Sequence, residues 1–185
     1  MIKRLQIFDM DGCIISSPEK ESGKIAWTEK MKQPFPHIGW WSKPESLDLS
    51  VFDIKAYPKI LTLLNKNVST PNTYVVIMTS RMEKLRPEVE KVLKHINVNV
   101  DKLDMKYNEK TKGQKLLNYV KQFPDLVEIN VYDDNYDVIA SYQDIKNQIP
   151  ENITFNIYRA DQGEISLVDS NYRLTDIIRE ELQNF

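Results

Sequence analysis

The sequence predicts an α/β fold, a Rossmann-like three-layer sandwich with a mostly parallel five-stranded sheet between two layers of helices. Three observations lead there. Short apolar runs of strand length alternate with amphipathic segments of helical spacing, the pattern of strand–helix–strand crossovers. The clearest run, Tyr74-Val75-Val76-Ile77-Met78, is apolar throughout, as strands covered on both faces are. Three of the runs end on polar groups: Asp9 and Asp11, then Thr79-Ser80-Arg81, then Asp133 and Asp134. In a parallel sheet those ends share one edge, where open α/β sheets bind their ligands.

In chain order, Arg4-Leu5-Gln6-Ile7-Phe8 reads as the first strand, and Gly12 permits a sharp turn after its two acids. Residues 14–50 carry Pro18, Pro34, Pro36 and Pro44, with Trp27, Phe35, Trp40 and Trp41 among them. That punctuation predicts a small lid or cap insert holding one short helix near 20–32. Val51, Ile54, Tyr57, Ile60, Leu61 and Leu64 have helical spacing, with Pro58 as a break or a start. After the second strand, Pro87 suits the first turn of a helix whose Val89, Val92, Leu93 and Ile96 share a face. Residues 97–104 alternate as a third, more exposed strand, and 111–122 form a helix with Leu116, Leu117 and Val120 inward. Residues 127–132 make the fourth strand, Val138 to Ile149 a helix, and 153–158 the fifth strand. Leu174, Ile177, Ile178 and Leu182 line a last helix. One domain over 1–185 accounts for all of it.

Composition narrows the function. At 185 residues the chain can bury a sizeable core. A formal charge of −2 excludes any overall attraction to nucleic acid or membrane, so such a partner needs a local patch. Lys106, Lys110, Lys112, Lys115 and Lys121 face a single nearby acid, Glu109, and read either as a solvated helix face or as a track for a nucleic-acid backbone. Cys13 is alone, which excludes an internal disulfide. No apolar run reaches membrane-spanning length, and Lys3 and Arg4 lead straight into Asp9, unlike a secretory signal. The expectation is a soluble, cytoplasmic protein with no membrane association and no obligate protein partner.

Two acids one residue apart also cap turns and helices, so Asp9 and Asp11 alone decide nothing. The full order does more. Asp-x-Asp-Gly, an apolar strand ending on Thr79, a lysine, and an apolar strand ending on Asp133-Asp134 resembles the haloacid dehalogenase (HAD) superfamily of phosphohydrolases, over residues 5–137. Cys13 departs from it, standing where Thr or Val is commoner. Gly39-Trp40-Trp41-Ser42, followed by Pro44-Glu45-Ser46-Leu47, is similar to a segment of the Swiss Army Knife RNA repair-like HAD domains, and so is Thr111-Lys112-Gly113-Gln114-Lys115.

The resemblance implies Asp9 as the nucleophile that forms an aspartyl-phosphate and Asp11 as general acid and base. It implies Mg²⁺ held by Asp9, Asp11, Asp133, Asp134 and the Met10 carbonyl, hard oxygen donors that suit this ion; Asp137 would stand one shell out. Thr79 and a lysine would contact the phosphoryl oxygens, with Lys115 favoured over Lys112 by the Thr-x-x-x-Lys spacing. Gly12 would turn backbone amides toward phosphate, and Ser80, Arg81, Lys112, Trp40 and Trp41 would bind the rest of the substrate. Arg81 pairing with an acid, and the tryptophans as lid core, are the competing readings. The substrate expected is a nucleotide or a nucleic-acid terminal phosphate. Free nucleotides or small phosphometabolites, a non-catalytic binding module and a receiver-type phosphoacceptor domain are the alternatives.

Overall fold

β1 (Arg4–Phe8), β2 (Thr73–Met82), β3 (Lys102–Lys106), β4 (Glu128–Asp133) and β5 (Thr154–Asp161) run parallel. The computed structural model describes residues 1–168, so the helix expected around Leu174 and Leu182 lies outside the described residues. A sixth strand, β6 (Glu164–Leu167), adds antiparallel to β5, and the sheet order is β3-β2-β1-β4-β5-β6. Six strands therefore replace the five expected. β6 is too short to show a period, but its turn carries a signal: Gln162 and Gly163 both have positive φ, 48° and 89°, as two-residue hairpin loops require.

The helices are α1 (Lys20–Met31), α2 (Pro58–Val68), α3 (Arg86–His95), α4 (Lys112–Gln122) and α5 (Tyr136–Asp144). Pro58 starts α2, where its missing N–H costs nothing. Thr111 and Gln114 form a reciprocal capping box that opens α4. Asn135 caps α5 by accepting the Val138 N–H. Among the described residues, no helix is long and apolar enough to cross a membrane.

Strand alternation divides the core between the two faces of the sheet. Val75 and Ile77 of β2 pack with Ile60 and Leu64 of α2 and Val89 and Val92 of α3. Val76 and Met78 turn the other way, to Leu116 of α4 and Ile139 and Tyr142 of α5. The segment between β1 and α2 holds α1 and a 3-10 turn, Pro44–Leu47, and packs on the first face. Its centre is Trp40, 5.3 Å from Phe35 and 5.7 Å from Phe52 between ring centroids. Gly23 lies so close that a Cβ there would sit 2.2 Å from the Trp40 ring.

β1 is the pivot. Phe8 is in register with Ile77 on one side and Tyr132 on the other. The helices serving β2 and β3 cover one face, and those flanking β4 cover the opposite face. The carboxyl end of β1 is thus the topological switch point of the sheet. Across the second face, α4 and α5 meet at Gly113, whose added Cβ would lie 2.0 Å from the Ser141 carbonyl oxygen. That approach sets how deeply the first turn of α4 sits. We expect Gly113→Ala to push α4 off α5 and to cost about 1–3 kcal/mol, read as a lower urea midpoint at unchanged slope.

Candidate active site

Beyond β1 the chain continues the ladder for one residue, the Asp9 N–H donating to the Tyr132 carbonyl at 2.8 Å, and then turns tightly. The Met10 carbonyl accepts from the Ile14 and Ile15 amides at 2.9 and 3.0 Å, which takes both of its lone pairs. The sequence reading expects that carbonyl among the metal ligands, and the tight turn already engages it. Gly12 has φ of 76°, and a Cβ there would lie 2.3 Å from Asp134 Oδ2; only glycine fits that turn. Its own N–H donates to the Ile15 carbonyl at 3.0 Å, so it shapes the turn and its amide is not offered to a phosphate.

The three strand ends meet in a cleft of about 360 Å³, lined by Asp9 and Asp11, by Thr79 to Arg81, and by Asp133 and Asp134, with Lys112 and Trp41. Lys112 is buried, and its ammonium donates to Asp9 Oδ1 and, at 2.8 Å, to Asp133 Oδ2. Lys115, favoured by spacing, lies elsewhere. It donates to Asp104 Oδ1 at 2.7 Å and to the Met105 carbonyl at 2.8 Å, while the Tyr119 hydroxyl donates to the other Asp104 oxygen. The reason is helix direction. α4 runs back from the cleft edge, so a residue three positions on lies about 4.5 Å further down the axis, level with Asp104 of β3.

The adjacent tryptophans also part. Trp41 lines the cleft, 39% exposed. Trp40 is buried away from it, its indole N–H donating to the Pro18 carbonyl at 2.9 Å, so it is core and not a substrate contact. Arg81, expected on substrate, spends its guanidinium on protein: two bonds to Asp11, of 2.9 and 2.8 Å, and others to the Trp41 carbonyl and Ser46 Oγ. Thr79 is buried, its Oγ1 accepting from the Arg81 N–H at 3.1 Å; Ser80 is exposed. Asp137 is exposed on the first turn of α5. Burying Lys112 and Lys115 leaves Lys106, Lys110 and Lys121 as the exposed members of the basic run. Ser17 and Glu19 line the cleft with no signal in the sequence; Ser46 lies within the Pro44-Glu45-Ser46-Leu47 match.

Charge in the cleft is unbalanced. Oxygens of Asp9, Asp133 and Asp134 lie within 4.8 Å of one another, with one ammonium among them. Burial pushes the Asp9 carboxyl well above its ordinary range; Lys112 pulls it down, and Asp133, Asp11 and Asp134 push it up further. Burial works against the Lys112 ammonium, but Asp133 and Asp9 outweigh it and hold the proton on. Burial, then Asp133, raises Asp134 to about 7. Three carboxylates against one lysine form a cluster able to hold a metal ion, and an all-oxygen set suits a hard divalent cation. Asp11 stands outside this group, docked on Arg81. Cys13 is fully buried beside the cluster, its thiol against the Tyr132 carbonyl, and burial, with Asp9 and Asp133, raises its pKa.

A carboxyl whose folded pKa is raised from 3.8 to about 7 has a contribution fully present below the unfolded value and lost as pH rises through the folded one. In metal-free buffer, Asp134→Asn should therefore gain stability over the native chain between about pH 4 and pH 7, with a constant gap above. Urea unfolding across that range measures it, and Mg²⁺ should narrow the gap by favouring the ionised carboxylate.

No protein-family model matches the chain. The uncharacterized protein YMR265C of Saccharomyces cerevisiae is 21% identical over 168 residues, covering 77% of this chain and 36% of its own length. The chain thus spans little more than a third of that relative. Among solved structures, the HAD domain of the effector protein Lem4 from Legionella pneumophila aligns over 99% of this chain and 95% of its own, with a TM-score of 0.57 at 14% identity. A chain of the Pnkp1/Rnl/Hen1 complex aligns over 86% of this chain and 47% of its own, with a TM-score of 0.53 at 11% identity. Sheet order, the position of the cleft and these likenesses agree: the chain has the haloacid dehalogenase-like fold.

Proposed function

We propose that the chain is a Mg²⁺-dependent phosphomonoester hydrolase that works through an aspartyl-phosphate, acting on a nucleotide or on a nucleic-acid terminal phosphate. One observation supports this most. Asp9 and Asp11 reach the same cleft in unlike surroundings, Asp9 against Lys112 and two further acids, Asp11 on a guanidinium. Two carboxylates held in different environments can divide attack from proton transfer.

In this reading an Asp9 oxygen attacks phosphorus and the bond to the leaving oxygen breaks. Asp11 gives that oxygen a proton, then takes one from the water that hydrolyses the aspartyl-phosphate. Lys112, not Lys115, is the lysine beside the phosphoryl group, and the Thr79 and Ser80 hydroxyls donate to its oxygens. Asp9, Asp133 and Asp134 hold Mg²⁺, which when bound offsets the charge of the transferring group. The exposed Trp41 ring at the cleft offers a flat face on which a base stacks, and this supports a nucleotide or polynucleotide substrate.

The test is phosphate release with Mg²⁺ from 3′- and 5′-phosphorylated DNA and RNA oligonucleotides, beside a panel of nucleoside monophosphates. We expect release from oligonucleotide ends, its loss in Asp9→Asn, and a drop in kcat of about 10²-fold or more in Lys112→Met, with Lys115→Met near wild type. Activity on mononucleotides alone would sink the polymer-end substrate. No release from any substrate would leave a non-catalytic binding module.

A further inference from the structure

β2 continues past the end of β1, with Met82 still in register with Lys106 of β3, and alternation along it sends Thr79 and Arg81 inward while Ser80 and Met82 face out. The Arg81 side chain is 2% exposed and joins two parts of the chain. Toward the turn after β1, Nε donates to Asp11 Oδ2 at 2.9 Å and Nη2 to Oδ1 at 2.8 Å, a bidentate fork. Toward the segment that follows, Nη1 donates to the Trp41 carbonyl at 3.1 Å and to Ser46 Oγ at 2.5 Å. The Trp41 ring lies over the same guanidinium, 5.2 Å from its carbon to the ring centroid. Ser46 Oγ in turn donates to the Lys43 carbonyl at 2.7 Å, which fixes it as the acceptor.

We infer that Arg81 is a positioning residue that aligns Asp11, and that it makes this alignment depend on residues 39–48 being seated over the cleft. The guanidinium is planar and rigid, so its fork cannot keep one geometry on Asp11 while its other edge moves freely. If residues 39–48 lift, Nη1 loses both acceptors. A buried charged donor without partners is costly, so the group turns toward water and the Asp11 carboxylate loses its fixed orientation. The role of Asp11 in proton transfer rests on the phosphatase reading; the tie between Arg81 and the segment does not.

Two measurements separate these parts. The first compares, with Mg²⁺, p-nitrophenyl phosphate, whose leaving group departs as a stable anion, and phenyl phosphate, whose leaving oxygen needs a proton. Arg81→Lys keeps the charge but not the fork; it should lower kcat on phenyl phosphate by about 10²-fold, with a much smaller loss on p-nitrophenyl phosphate and KM unchanged on both. Ser46→Ala should shift the same ratio in the same direction by a smaller factor. The second is backbone hydrogen exchange over residues 40–48, faster in both variants, with urea unfolding to show that each is folded. Equal losses on the two substrates with a raised KM would mean that Arg81 holds the substrate phosphate, overturning the alignment. Unchanged exchange at 40–48 would overturn the dependence on the segment. If the native chain hydrolyses neither these compounds nor the phosphorylated oligonucleotides and nucleoside monophosphates, the phosphatase reading fails and the proton-transfer half with it, while exchange in Arg81→Lys still decides the tie.

Discussion

One buried ammonium organises the cleft. Lys112 stands between Asp9, at the end of β1, and Asp133, at the end of β4, and it projects from the first turn of α4. The end of β1 is therefore held to two elements that follow it much later in the chain, α4 and β4, by one cation. Carboxylates packed this closely repel one another, and a partner removed from a buried pair leaves an uncompensated charge at a cost of about 3–5 kcal/mol. The glycine that lets α4 approach α5 and the box that caps α4 both serve to bring that ammonium to the right depth. The remaining excess of negative charge makes the site receptive to a second, mobile cation.

Around this centre the two acids of the Asp-x-Asp pair have been given opposite supports. Asp9 is buried with lysine and two further acids; Asp11 is clasped by arginine at the boundary with the segment that follows. The difference arises from strand geometry. Asp9 still belongs to the ladder of β1, whereas Asp11 lies past it, where the extended end of β2 brings Arg81 alongside. The cleft and the segment beside it thus meet at alternate residues of one strand, Thr79 and Arg81.

The strand ends were readable from sequence because the residues just before them, Ile7-Phe8, Val75 to Met78 and Val131-Tyr132, form unbroken apolar or aromatic runs, so the acid or hydroxyl that follows each stands out. Asp9, Thr79 and Asp133 fall on that edge, and all three line the cleft. What stays hidden is depth and direction. Lys112 and Lys115 look equivalent in sequence, but one turn of helix carries one to the cleft and the other to Asp104. Trp40 and Trp41 are neighbours, yet the chain bends between them and only one reaches the cleft. Met10 offers a carbonyl at the right place in the motif, and the turn that makes the motif uses it. β6 needed only four residues and a two-residue turn, too little for periodicity to register.

The backbone bond from the Gln162 N–H to the Gly12 carbonyl, 2.9 Å long, has a bearing on how the chain comes to life. β1 sits between residues 73–77 and 128–132, and the turn that follows it is braced by the β5–β6 hairpin. During synthesis Asp9 and Asp11 emerge before β2 and β4, on a strand whose neighbours do not yet exist. The acids cannot form their cluster until β4 and α4 have arrived, and the turn is not secured until the hairpin closes on it. Contacts of such long sequence separation form late and slowly. Asp9 and Asp11 therefore stay ordinary solvated carboxylates until residues 112–133 have been made and have folded onto β1, and the cleft takes shape only with those long-range contacts.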